Sequence, residues 1–330
     1  MLVRLLMLSW AALLALGPLD GAAREATPAA SPAAGTGLAG AVGWLLTQQA
    51  EDGGFPGFSG ESDPGVTLDA VVALAAAERA GVDTGGAVAD ALAWLAQGDV
   101  ALVYAQTGVG QAAKLALGLM AAGEDPRSIG SVDPLTLVER GQDATTGIYG
   151  SGIFDHALAI MALAAAGEEV PASAIDALAA TQADNGGWAF DASTDPTAAD
   201  SNTTAMVVQA LVAAGAADSP LLEPALAYLQ STITPEGAVY APNQGAIADA
   251  NSTALVLQAV IAAGSENTAT LENALVTFQA PSGAFFYQAQ DQTANLFSTV
   301  QAIPALAGLA LPVLPADVAT PQAWWQTAAA

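Results

Sequence analysis

The chain has 330 residues, 53% hydrophobic and 12% charged, with a formal charge of −26 and no cysteine. That acidity excludes a surface for nucleic acid or anionic lipid, leaving solubility, cations or a basic partner as its uses. Without cysteine there are no disulfides, thiolate zinc sites, cysteine nucleophiles, internal thioesters or lipid-modified N-terminal cysteine, and stability must come from core packing.

In chain order, residues 1–23 read as a signal peptide. Arg4 precedes the apolar run Leu5 to Gly17, and Gly21-Ala22-Ala23 offers small residues for cleavage. The run is short for a membrane span; the alternative is a retained anchor. No later stretch reaches about 18 unbroken apolar residues, so no membrane span is expected after cleavage and the protein is expected to be secreted or extracytoplasmic. Residues 24–36 form a Pro/Ala-rich linker.

From 37 to 310 the chain repeats. Six apolar runs end in Gly81, Gly123, Gly167, Gly215, Gly264 and Gly308, at spacings of 42 to 49 residues. They lack a polar stripe, which predicts helices buried on both faces, each stopped by its glycine. Between them lie amphipathic helices with one apolar stripe, such as Leu38, Val42 and Leu45, or Leu222, Leu226 and Leu229. The third of these, near Pro134 to Gln142, is short. A two-helix unit of about 45 residues predicts a solenoid or a ring. Fully buried helices alternating with half-buried ones, and ends without polar caps, favour the closed form. The expected fold is all-α, an (α/α)6 toroid. The tail 311–330 carries Pro312, Pro315 and Pro321 before Trp324-Trp325, so it cannot be one helix. It is expected to pack back through the two tryptophans, with a disordered end or an attachment point as alternatives.

The stretch "QADNGGW" at 182–188 recurs. Gln49-x3-Gly53-x-Phe55, Gln182-x3-Gly186-x-Trp188 and Gln279-x3-Gly283-x-Phe285 are clean copies; Gly147 with Tyr149 and Gly237 with Tyr240 are weaker, and only Tyr104 remains in the second repeat. Glycine permits a tight turn, and a planar amide packs well on a ring. The motif therefore reads as a joint between repeats. It resembles the QW motif of the terpenoid cyclase and protein prenyltransferase superfamily, over roughly residues 37–310. The resemblance implies that each Gln ends an outer helix and stacks on its aromatic.

The catalytic requirements of that superfamily are missing. There is no Asp-x-Asp-Asp motif; with no Cys and one His, a zinc site of Asp, Cys and His cannot be built. Aromatics are 6% and Lys plus Arg number 6, few for stabilising carbocations or holding diphosphates. A G-x-S-x-G elbow is also absent. No cofactor is expected. Asp191 and Asp195 match a calcium loop only weakly, because Pro196 stands where the sharp turn needs glycine.

Polar residues at the starts of the buried helices are the candidate ligand contacts. Asp200, Asn202 and Thr203 align with Asp249, Asn251 and Ser252; Gln209 and Gln258 follow one helix face later, and alignment by helix endings puts Gln301 in the equivalent place. Capping is the plain role for Asp200, Thr203, Asp249 and Ser252. The mid-helix glutamines need partners or water: a central cavity or a neighbouring helix. Lys114, the only lysine, is level with Asp69 on the preceding buried helix, which predicts an ion pair. His156, the only histidine, neighbours Asp155, but adjacent helical residues do not face each other, so a core role is expected. Function stays open among three readings. The first is a non-catalytic binding module for a small molecule or an extracellular partner. It rests on a resemblance to the cobalamin carriers of the superfamily, carried by Thr203-Thr204-Ala205 through Gln209 and Ser252-Thr253-Ala254 through Gln258. Those carriers clamp their ligand with a second, β-rich domain, whereas this chain ends shortly after the ring. The second is a divergent cyclase-like enzyme using Asp69, Asp155, Asp200 or Asp249 as acid. The third is an adhesion or structural scaffold.

Overall fold

The computed structural model describes residues 35–316 apart from 246, 266 and 267. The signal segment, most of the linker and the tail beyond 316, with Trp324 and Trp325, lie outside the described residues. Helices come in outer–inner order. The first pair is α1 (Gly37–Leu46) and α2 (Pro64–Arg79); the second is α3 (Ala87–Leu95) and α5 (Val109–Ala121), with a short α4 (Val100–Ala105) between. Then come α6 (Pro134–Glu139) with α7 (Ile153–Ala165), and α8 (Ala172–Thr181) with α9 (Ser201–Ala213). The last pairs are α10 (Leu222–Thr232) with α11 (Ala250–Ala262), and α12 (Ala269–Thr277) with α13 (Leu296–Leu306). Each of these last two pairs carries a small antiparallel hairpin, β1 (Ile233–Thr234) with β2 (Gly237–Ala238), and β3 (Phe286–Gln288) with β4 (Asp291–Ala294).

The inner helices pack in sequence, α2 on α5, then α7, α9, α11 and α13, and α13 packs back on α2. The ring is closed, an (α/α)6 toroid. Composition explains the two layers. In α7, "IFDHALAIMALAA", nearly every side chain is buried, whereas α10 buries only Ala225, Tyr228, Leu229 and Thr232. The abundant alanines let helices approach closely on two sides; each fully buried Leu or Ile adds about 1.5–3 kcal/mol.

The glycine-aromatic motif is a joint built by hydrogen bonds. The Gln182 amide donates to Gly186 O at 3.0 Å and to Leu221 O, where α10 begins, at 3.0 Å. Gln49 does the same to Gly53 O and Ala87 O, and Gln279 to Gly283 O and Gly37 O. The motif glycine must be glycine twice over. Gly186 has φ +86°, and a Cβ there would sit 2.3 Å from Pro224 O of the next outer helix; at Gly283 the obstacle is Gly40 O at 2.1 Å. The Gln279 joint spans 242 residues of sequence and fastens the last repeat to the first. Gln142, outside the three clean copies, makes a fourth joint to Gly147 O and Ser173 Oγ.

A second rule ties layers together within a repeat. The backbone N–H of Phe55, Trp188, Ala238 and Phe285 donates to Thr67, Thr204, Thr253 and Thr299, each at 2.9–3.0 Å. In every case the threonine is the fourth residue after its helix's N-cap. In the fifth repeat the bonded residue is therefore Ala238, not Tyr240 as the weaker motif copy suggested.

At the carboxyl-terminal end of the inner helices the chain folds back across the ring. Leu311 N donates to Gln209 Oε1 at 2.8 Å, and Arg79 Nη1 to Leu314 O. Val313 is 3% exposed and clusters with Ala75, Ala76 and Ala121, flanked by Val72, Leu309 and Leu311. The tail thus returns through Leu311 and Val313, well before the two tryptophans.

Candidate functional site

Counting from each inner-helix cap puts the candidate residues on common levels. The caps are Asp63, Gly108, Gly152, Asp200, Asp249 and Asn295. The sixth residue onward is Asp69, Lys114, Leu158, Met206, Leu255 or Gln301; the second is Gly65, Gly110, Phe154, Asn202, Asn251 or Phe297. Second, sixth and ninth residues share one helix face. Neighbouring inner helices touch through this face: Lys114 Nζ lies 2.7 Å from Asp69 Oδ1, and Gln258 Nε2 donates to Gln301 O at 3.1 Å. Gln301 is therefore not equivalent to Gln209 and Gln258. Those two are ninth residues, and Pro304 takes that level in α13, a helix shorter than α9 and α11 that misleads an alignment by endings.

Apolar residues at the sixth and ninth levels are almost fully buried. Leu117 and Leu158 are each 7% exposed, Leu255 3% and Met206 1%. Gln209 is spent on the returning tail through Oε1 and on Ala205 O through Nε2. Asn202 and Asn251, at the second level, lie one turn nearer the amino-terminal end than Asp69, Lys114 and Gln301, which share the sixth level with Leu158, Met206 and Leu255.

Asp200 and Asp249 are caps. Asp200 Oδ1 accepts from Thr203 N at 2.7 Å and Oδ2 from Thr203 Oγ1; Asp249 treats Ser252 alike. Burial pushes both carboxyls up to about 6, against the pull of these bonds. The Tyr240 hydroxyl donates to Asp200, and Tyr287, raised to about 12 by burial and by the charge of Asp249, stands beside the other. Asp69 is raised by burial, which outweighs the charge of Lys114. Tyr104 lies within the fields of Asp69, Asp63 and Asp155 and is raised mainly by burial.

His156 is a structural substitute. It is the fourth residue after Gly152, the level of the threonines, and its Nδ1 accepts from Tyr149 N at 3.0 Å. Its Nε2 pairs with Ala174 O at 2.9 Å, which makes Nε2 the protonated nitrogen. Burial lowers its pKa. Asp155 turns away, accepting from Ser151 N and Oγ, and packs against Gly110, where a Cβ would lie 2.1 Å from its Oδ1. Asp191 and Asp195 are exposed and accept from Ser193 N and from Thr197 N and Oγ1 within their own turns. Among the described residues no group of three or more His, Cys, Asp or Glu is placed to hold a metal.

Asn251 Oδ1 accepts from Ser298 Oγ of the next helix at 2.7 Å, and Asn202 Oδ1 from Ser201 Oγ at 3.3 Å. Gln301 differs: its Oε1 is buried without a partner. Sequence reasoning missed the aromatics of this rim. Phe58, 70% exposed, stacks on Phe297 with centroids 4.8 Å apart, across the seam where α13 meets α2. Tyr240 and Tyr287 were missed as site residues: each stands two residues past the motif's bonded residue and beside a neighbouring repeat's cap. That fixed offset was visible in the sequence.

A closed double ring, with inner helices packed in sequence and the last packed back on the first, defines an α/α toroid. No protein-family model matches the sequence, and no curated protein matches it either. Solved structures do. The type II terpene cyclase MstE from Scytonema, in its apo form, superposes with a TM-score of 0.59 at 17% identity, covering 82% of this chain and 96% of that one. An inactive variant of the alpha-1,6-mannanase GH76A of Salegentibacter, in complex with alpha-1,6-mannotriose, gives 0.60 at 10% identity, covering 83% and 99%. Haptocorrin in complex with Cbi gives 0.52 at 13% identity, covering 84% and 67%. The likeness is one of fold.

Proposed function

We propose that this protein is a secreted or extracytoplasmic, non-catalytic binding module whose working unit is the ring of residues 37–310. A small molecule sits at the amino-terminal mouth of the inner helices, contacting Asn202, Asn251, Gln301 and the Asp69–Lys114 pair. One observation carries the reading: the acid and base candidates are occupied by structure, while the mouth keeps amides and an exposed aromatic. Asp200 and Asp249 cap, His156 replaces a threonine, and Asp69 is held by Lys114. That haptocorrin, a neighbour in fold, is seen in complex with Cbi is consistent with a ring used for binding. The test is native mass spectrometry of protein purified from its own medium. A retained small molecule, released by unfolding and lost in a variant with Asn202, Asn251 and Gln301 all changed to Ala, is the expected result; its absence refutes the reading.

A cyclase-like enzyme is the second reading, favoured by the carboxyls of Asp200 and Asp249 standing at about 6, able to hold a proton near neutral pH. Incubation with geranylgeranyl-bearing substrates, of the kind bound by two MstE variants, checks it. Turnover abolished by Asp200→Asn or Asp249→Asn, with folding intact, would replace the binding reading.

A further inference from the structure

We infer that an open groove between the fourth and fifth repeats takes a basic, extended segment of a partner polypeptide. None of the proposed mouth contacts lines this groove, so the inference stands apart from the small-molecule reading above. The groove holds about 490 Å³. Pro196 and Ala199 from the loop before α9, Ala227 and Tyr228 from α10, and Pro242 from the loop before α11 wall it. Ala199 and Tyr228 are its buried residues, and the rest of the lining is exposed. Such an open, mainly apolar trough lets a longer chain lie across it, whereas a small-molecule site encloses most of its ligand.

Hydrogen bonds fix the walls. Tyr228 Oη donates to Ala199 O at 2.7 Å. Asn185 Nδ2 donates to Pro196 O at 2.9 Å, and Asn243 Nδ2 reaches from one loop to Thr197 O of the other at 2.7 Å. The trough therefore exists before a partner arrives, and binding carries little ordering cost on this side. Both asparagines line it. Each amide has two N–H donors and commits one of them to these wall bonds, and among the described residues Asn243 Oδ1 accepts no hydrogen bond. A peptide backbone supplies an acceptor and a donor at nearly every residue, which suits that set. Charge selects the sign of the partner. Past Arg140 the sequence contains no Lys or Arg. Exposed Asp184 and Asp195 adjoin the lining residues Asn185 and Pro196, and neither has an ion-pair partner among the described residues. Lys or Arg of the partner supplies the countercharge while its apolar side chains pack on Pro196, Tyr228 and Pro242; an acidic peptide, nucleic acid or anionic lipid meets repulsion.

Calorimetric titration of the intact protein with synthetic peptides tests this. The probe alternates Arg with Pro and Leu. One control replaces Arg by Glu, a second replaces Pro and Leu by Ser, and spermidine stands for a bare small cation. The Arg peptide is expected to bind with a Kd of about 100 µM or tighter at low salt, at least about tenfold tighter than each control. Its affinity should fall severalfold as NaCl rises from about 50 to about 500 mM. Ala227→Trp, at an exposed position of α10, fills the trough and should weaken binding about tenfold with the melting temperature unchanged. Asp184→Asn with Asp195→Asn keeps the side-chain acceptors and should reduce the salt dependence. Absence of binding overturns the inference. Equal binding of the Ser peptide or of spermidine also overturns it, because that marks only the acidity of the chain. Binding untouched by Ala227→Trp places the peptide elsewhere, with the same consequence. A peptide of residues 317–330 that binds as tightly assigns the groove to the chain's own tail instead of a partner. Ligand retained at the mouth is read separately by native mass spectrometry, so either proposal can fail without the other.

Discussion

Two arcs of the ring obey different rules. From the fourth repeat round through the sixth to the first, each inner helix is capped by Asp or Asn, and a threonine four residues later receives the N–H that follows the motif glycine. In the second and third repeats the caps are Gly108 and Gly152, the threonine level holds Ala112 and His156, and α4 takes the place of one joint. The chain's only lysine and only histidine both fall in this irregular arc. Sequence rarity there invites a catalytic reading. Geometry gives another: His156 restores the bond that the regular pattern makes with a threonine, and Lys114 pairs with Asp69 of the preceding inner helix. Where a repeat departs from its rule, the first question is which backbone group the departure satisfies.

That comparison breaks most visibly at the regular joint. Trp188→Ala removes a 0% exposed ring and the bond from its Nε1 to Leu178 O, and is expected to cost about 3–5 kcal/mol, read as a lowered urea midpoint. Lys114→Met leaves Asp69 partly buried without its partner. A loss of about 2–3 kcal/mol is expected, less than for a fully buried pair because the side chains are 10% and 16% exposed. The double variant Asp69→Leu, Lys114→Met should recover most of it, which a double-mutant cycle measures; no loss in the single variant removes the ion pair from the account. His156→Ala orphans Tyr149 N and Ala174 O, for about 2 kcal/mol, and should equal or exceed Thr204→Ala if the two residues do the same work.

The pH dependence separates the arcs with a smaller effect. Asp200 and Asp249 have folded pKa values raised from 3.8 to about 6, so the folded state holds more protons than the unfolded one between those values. Their contribution is full below about pH 4 and is lost as pH rises through about 6. His156 acts in the opposite sense: its lowered pKa means stability is lost as pH falls below its ordinary 6.5. Denaturation midpoints between pH 4 and 7.5 should therefore fall toward neutrality in the wild type. Asp200→Asn with Asp249→Asn should flatten that fall, since Asn295 already caps α13 and shows that Asn suffices.

The ring and its joints were legible because they are periodic. Apolar runs ending in glycine and Gln-x3-Gly-x-aromatic repeats are local patterns, and each reports a helix stop or a tight turn at its own position. The level of Lys114 with Asp69 followed from the same periodicity. Gln301 was misplaced for two reasons: α13 is two residues shorter than α9 and α11, which an alignment by endings carries to every level above, and Gln301 stands one residue further from its terminal glycine than Gln209 and Gln258 do from theirs. The Gln142 joint was missed because its spacing to Gly147 is one residue longer than in the clean copies.

By itself, then, the sequence determined the layers, the closure and the residue types available for chemistry, because burial period and backbone conformation are encoded locally. Only the tertiary structure decided what those residues do. Whether Asp200 caps or catalyses, whether Gln209 meets a ligand or the chain's own Leu311, and that Phe58 lies on Phe297 over 200 residues away, all depend on which surfaces the ring brings together when its last joint fastens Gln279 to Gly37.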